Sequence, residues 1–411
     1  MVKRYRLIAA VSGVVVLIAA LSGAAYGGSN GPDQASAIKI GVLTPLTGSF
    51  APWGIQARAG MALAVNEINR SGGVKGRGNG RLLNLVVADD QTNNTNAAVD
   101  GFRRLTQQEG AVAVGGIINS AFGLAIGRLA EEAKVPLFLI KSGNNDVLSL
   151  NSRYTFRTCL PAAAMVATSV AQLVQRRGIR SVGVLIADYA WGQSFKSSLE
   201  ETARATAPNA RFNIQVAPVT ATNFIPYLRE FDGVSLIVAT GHPPGGGSIL
   251  AQASQLGIKA PVVGAYSPYS LTVRNAGATA YGRWSDFKCM ATGTRAYKTL
   301  AKRYLRAFPQ NEFFEDDALA GYAYVKIVAQ AIQNVGTDRQ RIAAYVHANT
   351  FNIPGYAFPL RWTAWGELRG ATVQFAVLTR GPTPEQGLNT NGNWWPRVLF
   401  RSQPLPPYRP S

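Results

Sequence analysis

The segment from Ile38 to Asp90 constrains the fold more than any other part of the chain, because it encodes one complete β-α-β unit. Its first residues, Ile38 to Thr44, form a short apolar run that is typical of a buried strand. Apolar residues then recur at helical spacing from Ala57 to Ile68, and Gly72 and Gly73 end this pattern. The apolar run LLNLVVADD follows. This order of elements predicts two parallel strands joined by a crossover helix.

The loop between the first strand and the helix is the first candidate for a ligand contact. It runs from Thr44 to Gly54, is rich in Thr, Ser, Gly and Pro, and carries the large aromatic residue Trp53. In open parallel sheets, ligands bind at the carboxyl ends of the strands, where such loops lie. We therefore predict that Trp53 contacts a ligand.

The alternation of strand and helix patterns continues along the chain in two series. The first series pauses between Tyr154 and Pro161, and a second series runs from Ala162 to Ala265. After Cys289, the helical patterns Tyr297–Phe308 and Ala318–Asn334 have no strand between them. Because these helices need a sheet to cover, we expect the chain to return to the first lobe. The predicted fold class is α/β, with two doubly wound lobes and a hinge where the chain crosses between them.

Residues 1–27 have the composition of a secretory signal. Lys3, Arg4 and Arg6 precede an apolar run from Leu7 to Leu21, and Ala25–Gly27 offers small residues for cleavage. The apolar run is short for a membrane span, and an uncleaved anchor is the alternative. We therefore expect an exported protein that works in the periplasm or another extracytoplasmic space.

The net charge is strongly positive. The full chain carries +19, and +16 remains once the three cations of the signal are removed. Lys and Arg are scattered, and the sequence contains neither a basic helix nor an aromatic RNA-binding motif. We therefore expect no nucleic-acid partner. A solvated basic surface or an anionic ligand would each account for the charge.

Sequence motifs of common enzyme classes are missing. The two histidines, His242 and His347, lie far apart, and the chain has no HExxH, CxxC, GxSxG or GxxxxGK[ST] motif. The acidic run from Glu315 to Asp317 precedes a helical pattern, where carboxylates suit the helix dipole. We predict a binding protein without catalytic residues, cofactor or metal.

The chain has two cysteines, Cys159 and Cys289. In an exported protein these two residues can form a disulfide. Two buried free thiols are the alternative, because the sequence does not give the distance between the two Cα atoms.

Hydroxyl, amide and aromatic side chains follow the predicted strands of both lobes. The candidate ligand contacts are Trp53, Ser120, Ser142 and Asn144 in the first lobe, and Trp191, His242 and Tyr266 in the second. Few charges accompany them, so they predict a cleft for a small molecule between the lobes. Helix capping by Ser120 and Asn144, and core packing by the tryptophans, are the alternatives.

The runs IKIGVLTPLTGSFAPWG, NEINRSGGVKG, DDQTN and DYAWGQSF resemble the substrate-binding proteins of branched-chain amino acid ABC transporters. The resemblance implies a type I periplasmic binding fold with three hinge crossings, which closes on one ligand. A monomer would deliver the ligand to a permease and its ATPase; a sensing receptor of the same fold is the alternative. The implied parts are lobe 1 at 38–157 and 289–358, lobe 2 at 158–288 and 359–380, and a C-terminal tail at 381–411.

The resemblance also implies roles for the candidate residues. In leucine-binding relatives, the ligand's carboxylate is held at the positions similar to Ser120, Ser142 and Asn144. Aromatic residues at the positions of Trp53 and Trp191 pack against the ligand. A further tyrosine contact of these relatives aligns near His242.

Tyr266 departs from the pattern of these relatives, which have a Glu there to neutralise the ligand's ammonium. A buried ammonium without a carboxylate partner is strongly unfavourable. Either another acid, Asp188 or Asp146, reaches the ammonium, or the ligand has none. We therefore expect a small carboxylate or amide as the ligand, with an amino acid as the alternative.

Overall fold

The computed structural model describes residues 37–241, 245–380, 388–389 and 393–410. The predicted signal at 1–27 and the candidate contact His242 lie outside these residues. Within the described ranges, no helix is both long and apolar enough to cross a membrane.

In the described part of the chain, five parallel strands form the first sheet, in the spatial order β2-β1-β3-β4-β5. The strands are β1 (Ile38–Thr44), β2 (Leu83–Asp89), β3 (Val114–Ile117), β4 (Leu137–Leu139) and β5 (Thr155–Arg157). Helices α1 (Ala51–Arg70), α2 (Thr95–Arg103) and α3 (Ser120–Ala133) connect the first four. The strand order reverses at β1, and a ligand crevice is expected at such a switch point.

The second sheet contains seven strands within the described residues, in the order β12-β11-β10-β9-β8-β6-β7. They are β6 (Ser181–Asp188), β7 (Arg211–Pro218), β8 (Leu236–Ala239), β9 (Val262–Ala265), β10 (Trp284–Lys288), β11 (Gln374–Arg380) and β12 (Trp394–Arg401). Strands β6 to β10 are parallel, and β11 and β12 are antiparallel to their neighbours. The accompanying helices are α4 (Ala163–Arg176), α5 (Ala190–Thr206), α6 (Ile225–Leu228), α7 (Gly246–Gln255) and α8 (Tyr269–Ala276).

After β10 the chain returns to the first sheet, as the sequence predicts. The returning helices are α9 (Arg295–Ala307), α10 (Asp316–Val335) and α11 (Arg339–Ala348). Helix α10 packs so closely on α1 that a Cβ on Gly60 would lie 1.9 Å from the Ala318 carbonyl oxygen. The hydroxyl of Tyr324 donates to the Gly41 carbonyl of β1 at 3.0 Å. The described chain therefore passes between the two sheets after β5, after β10 and before β11, and the predicted class of two doubly wound lobes is confirmed.

The prediction of a surface tail at 381–411 is wrong for part of that segment. Residues Trp394–Arg401 form β12, which pairs with β11 along its whole length. Both Trp394 and Trp395 are buried. Pro396 interrupts the pattern of a strand, but proline is tolerated on the edge strand of a sheet, which is where β12 lies. The sequence interpretation also missed β10 and β11.

Of the two alternatives for the cysteines, the structure has the disulfide. Cys159 and Cys289 are bonded, with their Cα atoms 5.5 Å apart. Cys159 follows β5, and Cys289 follows β10. The disulfide therefore joins two of the segments in which the chain passes between the sheets.

Candidate functional site

A small cavity of about 30 Å³ lies between the carboxyl ends of the two sheets. The lining residues are Phe50, Trp53, Ile118, Lys141, Leu160, Tyr189, Trp191, Gly241, Ala265 and Tyr266. Both lobes contribute to the lining, so a ligand in this cavity would contact both.

Three of the sequence-predicted residues meet at this cavity, namely Trp53, Trp191 and Tyr266. Ser120, Ser142 and Asn144 are buried nearby but do not line it. The hydroxyl of Ser120 accepts a hydrogen bond from the backbone N–H of Asn144 at 3.2 Å. The side chain of Asn144 caps a short helical turn and donates to the Ala190 carbonyl of the other lobe at 2.8 Å. The contacts of Asn144 are therefore those of a helix-capping residue. Ligand contact by Ser120, Ser142 and Asn144 stays a prediction.

Trp53 is held in place by a close approach at the start of α1. A Cβ on Gly54 would lie 1.8 Å from the Pro45 carbonyl oxygen, so only glycine lets the helix begin against this loop. The loop itself is tied to β2, because Asp89 accepts a hydrogen bond from the Leu46 backbone at 2.8 Å. The ring of Phe50 contacts Trp53 edge-on, with centroids 4.9 Å apart.

Trp191 has an equivalent position at the start of α5 in the second lobe. A Cβ on Gly192 would lie 1.8 Å from the Ala187 carbonyl oxygen. The indole stacks on Phe195, with centroids 5.3 Å apart and planes 15° from parallel. Its Nε1 borders Gly143 of the first lobe, where a Cβ would come within 2.5 Å. Glycine at 143 thus leaves room for the indole between the lobes.

Tyr266 follows β9 in a left-handed backbone conformation, with φ of 61°. This region is uncommon for a bulky residue. Two hydrogen bonds hold the peptide there: the Tyr266 N–H donates to Asp286 at 2.7 Å, and its carbonyl accepts from Lys141 at 2.9 Å. A strained conformation that is held so firmly directs the phenol into the cavity wall.

Lys141 is a cavity residue that the sequence interpretation missed. It follows β4 and is the only charged side chain among the described residues of the lining. Its ammonium lies 2.8 Å from Asp317, 3.4 Å from Asp316 and 5.8 Å from the ring centroid of Trp53. A lysine placed directly after an apolar strand was the available signal. Its acidic partners are remote in sequence, so the pattern did not show that it is buried.

The acidic run at the start of α10 has a second function besides favouring the helix start. Asp316 also contacts Lys288 of β10, at 2.8 Å, so the run links both lobes. Burial raises the pKa of Asp317 and of Asp286 to about 7. Burial acts in the same direction on Asp316, but Lys141 and Lys288 outweigh it and hold its pKa below the usual value. None of the carboxyl-, imidazole- and thiol-bearing residues that the structure describes form a group suited to a metal.

Asp90 is a buried carboxyl at the end of β2. One oxygen accepts from the backbone N–H of Thr92 at 2.9 Å, and the other has no partner among the described residues. Burial raises the pKa of this carboxyl to about 7. The folded protein therefore keeps a proton on Asp90 at a pH where the unfolded chain has released it.

We expect Asp90→Asn to stabilise the protein at pH 8 by at least about 1 kcal/mol and to change much less at about pH 4, where the unfolded chain also keeps much of the proton. The folded pKa is raised, so the stability that the protonated carboxyl contributes is lost as pH rises through about 7. Asparagine does not ionise and avoids this loss. Thermal unfolding followed by circular dichroism at both pH values measures the effect, with the exposed Asp100→Asn as control. An unfolding midpoint at pH 8 that does not rise would contradict the expectation.

Comparison with known proteins supports this architecture. A family model described as "Periplasmic binding protein" matches residues 37–378. A Leu/Ile/Val-binding protein homologue from Brucella suis is 27% identical over 269 residues, which are 62% of this chain and 64% of the relative. The match thus spans somewhat under two thirds of that relative. A leucine-, isoleucine-, valine-, threonine- and alanine-binding protein from Pseudomonas aeruginosa is 25% identical, over 78% of this chain and 84% of the relative.

Two solved structures show the same fold. A solute-binding protein of an ABC transporter from R. palustris, in complex with benzoate, has a TM-score of 0.75 at 19% identity, covering 91% of this chain and 98% of its own. A leucine-binding protein from Thermotoga maritima has a TM-score of 0.74 at 20% identity, covering 90% and 99%. These relatives are binding proteins, not enzymes. The chain belongs to the periplasmic binding protein family, as a type I member similar to the branched-chain amino acid binding proteins.

Proposed function

We propose that this protein is an exported solute-binding protein that captures a small apolar or aromatic carboxylate without an ammonium group and delivers it to an ABC permease. The observation that carries the proposal is the charge of the cavity. Among the described lining residues, Lys141 supplies a cation and no residue supplies an anion. A ligand carboxylate can bind the ammonium of Lys141, which Asp316 and Asp317 contact from outside the lining, whereas a ligand ammonium would find no carboxylate in the lining.

Among the acids near the cavity, Asp286 is engaged, and Asp317, whose Oδ1 has no partner among the described residues, does not line the cavity. Asp286 accepts from two backbone N–H groups, those of Tyr266 at 2.7 Å and Ser267 at 2.9 Å. Asp188 and Asp146, which the sequence suggested as substitutes for the missing Glu, are exposed and do not line the cavity. An α-amino acid would therefore bury its ammonium against aromatic and aliphatic side chains, at a large cost.

Lys141 can donate a hydrogen bond to a ligand carboxylate without losing its two short contacts. An ammonium has three N–H donors. Two of them have close partners, the Tyr266 carbonyl at 2.9 Å and Asp317 at 2.8 Å, whereas the contact to Asp316 is 3.4 Å long. Asp316 has Lys288 as a second partner at 2.8 Å. A ligand carboxylate can thus replace the long contact and leave Asp316 paired.

The remaining walls favour an apolar body. Apart from Lys141, the lining consists of aromatic and aliphatic side chains and one glycine. Such walls stabilise a ligand by removing its apolar surface from water, at roughly 25 cal/mol per Å². The similar structure from R. palustris was solved with benzoate, an aromatic carboxylate. The benzoate complex shows that this fold can hold an aromatic carboxylate, and the cavity chemistry is what supports this class of ligand here.

Closure of the lobes would supply the signal for delivery. Direct hydrogen bonds cross between the lobes beside the cavity: Asn145 pairs with Ser194 at 3.0 Å and with Ser198 at 2.9 Å. A ligand that touches both lobes favours the closed state by its differential affinity. We assign the lobes as residues 38–157 with 289–358, and 158–288 with 359–380, and add β12 to the second. Export through the N-terminal signal would place the protein on the outer side of the membrane, where the permease collects solutes.

Calorimetry with matched ligand pairs tests the proposal. Leucine is compared with 4-methylpentanoate, and phenylalanine with 3-phenylpropanoate, because each pair differs by the ammonium group alone. Benzoate is added as a third acid. We expect at least one of the acids to bind at least about a hundredfold more tightly than the amino acids, which corresponds to roughly 2.8 kcal/mol. Tight binding of leucine or phenylalanine, with no binding of the acids, would overturn the proposal.

A further inference from the structure

The cavity walls carry hydrogen-bond donors that have no partner. The indole Nε1 of Trp53, the indole Nε1 of Trp191 and the hydroxyl of Tyr266 are all buried and unpaired within the described structure. All three side chains line the cavity. An indole N–H can donate but cannot accept. Buried donors in native proteins nearly always have an acceptor, so these groups point to one that the protein itself does not provide.

Other indoles in the described chain show what a structural tryptophan does with its N–H. Trp362 donates to the Arg157 carbonyl at 2.6 Å, and Trp365 donates to the Tyr408 carbonyl at 3.0 Å. Trp284 is also unpaired, but it lies in β10 and does not line the cavity. Trp53 and Trp191 differ from Trp284 because their side chains line the cavity, where a ligand can provide an acceptor.

The unpaired donors of the cavity wall come from both lobes. The ring of Trp53 lies 5.8 Å from the Lys141 ammonium, so one carboxylate can reach both. Trp191 belongs to the second lobe and starts a different helix, α5. Its Nε1 borders Gly143 of the first lobe. A second acceptor on the ligand would pair the N–H of Trp191.

We propose that the ligand carries a second hydrogen-bond acceptor, such as a carbonyl, ether or second carboxylate oxygen, which binds the indole N–H of Trp191. The inference rests on the proposed function and narrows its ligand class. It favours acids with an acceptor substituent on an apolar body over plain hydrocarbon acids. A substituent that only donates, such as an ammonium, leaves the N–H of Trp191 unpaired.

Matched substituted benzoates test this inference. Acetylbenzoate is compared with isopropenylbenzoate at the ortho, meta and para positions, because the two substituents have similar shapes and only acetyl carries an acceptor. We expect the acetyl acid to bind about tenfold or more tightly than its partner for at least one position. Equal binding, or preference for isopropenyl at all positions, would overturn the inference. Binding of benzoate but of no preferred acetyl acid leaves the proposed function standing, whereas no binding of any acid sinks both.

Variants assign the preference to the indole. Trp191→Phe keeps an aromatic ring and removes the N–H. We expect it to abolish the preference for the acetyl acid, so that the ratio of the two dissociation constants falls to about one. Trp284→Phe removes an unpaired indole N–H outside the cavity and is the matched control, with the preference retained. A preference that survives Trp191→Phe in full would contradict the assignment to this residue. Both variants are compared by the ratio of the two dissociation constants, which a moderate loss of stability does not alter.

Discussion

Replacement of Lys141 by methionine is expected to weaken binding of the carboxylate ligand by about a hundredfold or more. Methionine keeps an unbranched chain of similar length and removes the only cation in the described lining of the cavity. The variant also leaves Asp317 without its partner at 2.8 Å, and because burial already raises the pKa of this carboxyl to about 7, we expect it to take up a proton. Calorimetric titration with the acid that binds the wild-type protein most tightly measures the effect.

Two further variants separate ligand recognition from loss of folding. Lys141→Met combined with Asp317→Asn removes both charges of the pair, so the folded state is expected to tolerate it better than the single change. Lys39→Met removes a lysine that pairs with Glu109 at the surface, outside the cavity, and should leave affinity unchanged. If the folded double variant binds the acid as tightly as the wild type, Lys141 does not recognise the carboxylate.

Replacement of Arg157 by methionine is expected to lower the free energy of unfolding by about 3–5 kcal/mol. Arg157 is fully buried at the end of β5 and pairs with Glu367 at 2.9 Å. It also donates to the carbonyls of Ser142 and Asn144, the second at 2.7 Å. Its loss would leave a buried carboxylate and two buried carbonyls without their donors. Denaturant unfolding followed by fluorescence measures the change.

A double variant that removes both charges of the buried ion pair tests the prediction for Arg157. Burial raises the pKa of Glu367, and Arg157 opposes this effect, so the carboxylate depends on its partner. Arg157→Met with Glu367→Leu is expected to cost less than the sum of the two single changes. The pair of the exposed Arg274 and the partly buried Glu312 is the control, and Arg274→Met should cost less than about 1 kcal/mol. A cost below that value for Arg157→Met would contradict the prediction.

The fold class follows from sequence because its signals are local. Short apolar runs predict the strands, and apolar residues at helical spacing, ended by Gly72 and Gly73, predict the helix. Each pattern is contained in a short stretch of sequence. The sequence predicts Trp53 and Trp191 in loops after parallel strands, and the structure places each in the first turn of the following helix, near the strand ends where such sheets bind ligands. The sequence analysis did not predict strand β12, because this strand pairs only at the edge of the sheet, where Pro396 is tolerated.

The charge of the site could not be predicted from local sequence patterns. Lys141 and Asp317 are separated by 176 positions in sequence and meet at 2.8 Å only when α10 returns to the first lobe. Nothing near Lys141 in sequence shows that it is 7% exposed or that it faces Trp53. The unpaired state of the Trp191 indole is likewise a property of the assembled wall, because it depends on which carbonyls the fold brings close.

The sequence by itself therefore determined the α/β class, the two lobes and the family, and it placed Trp53 and Trp191 near the ends of strands. Each of these results depends on local apolar periodicity or on motifs. The tertiary structure alone decided that Lys141 is the charged group of the cavity, that Cys159 bonds Cys289 and that β12 completes the second sheet. Burial and partner choice are sums over contacts between distant segments, and these contacts exist only in the folded chain.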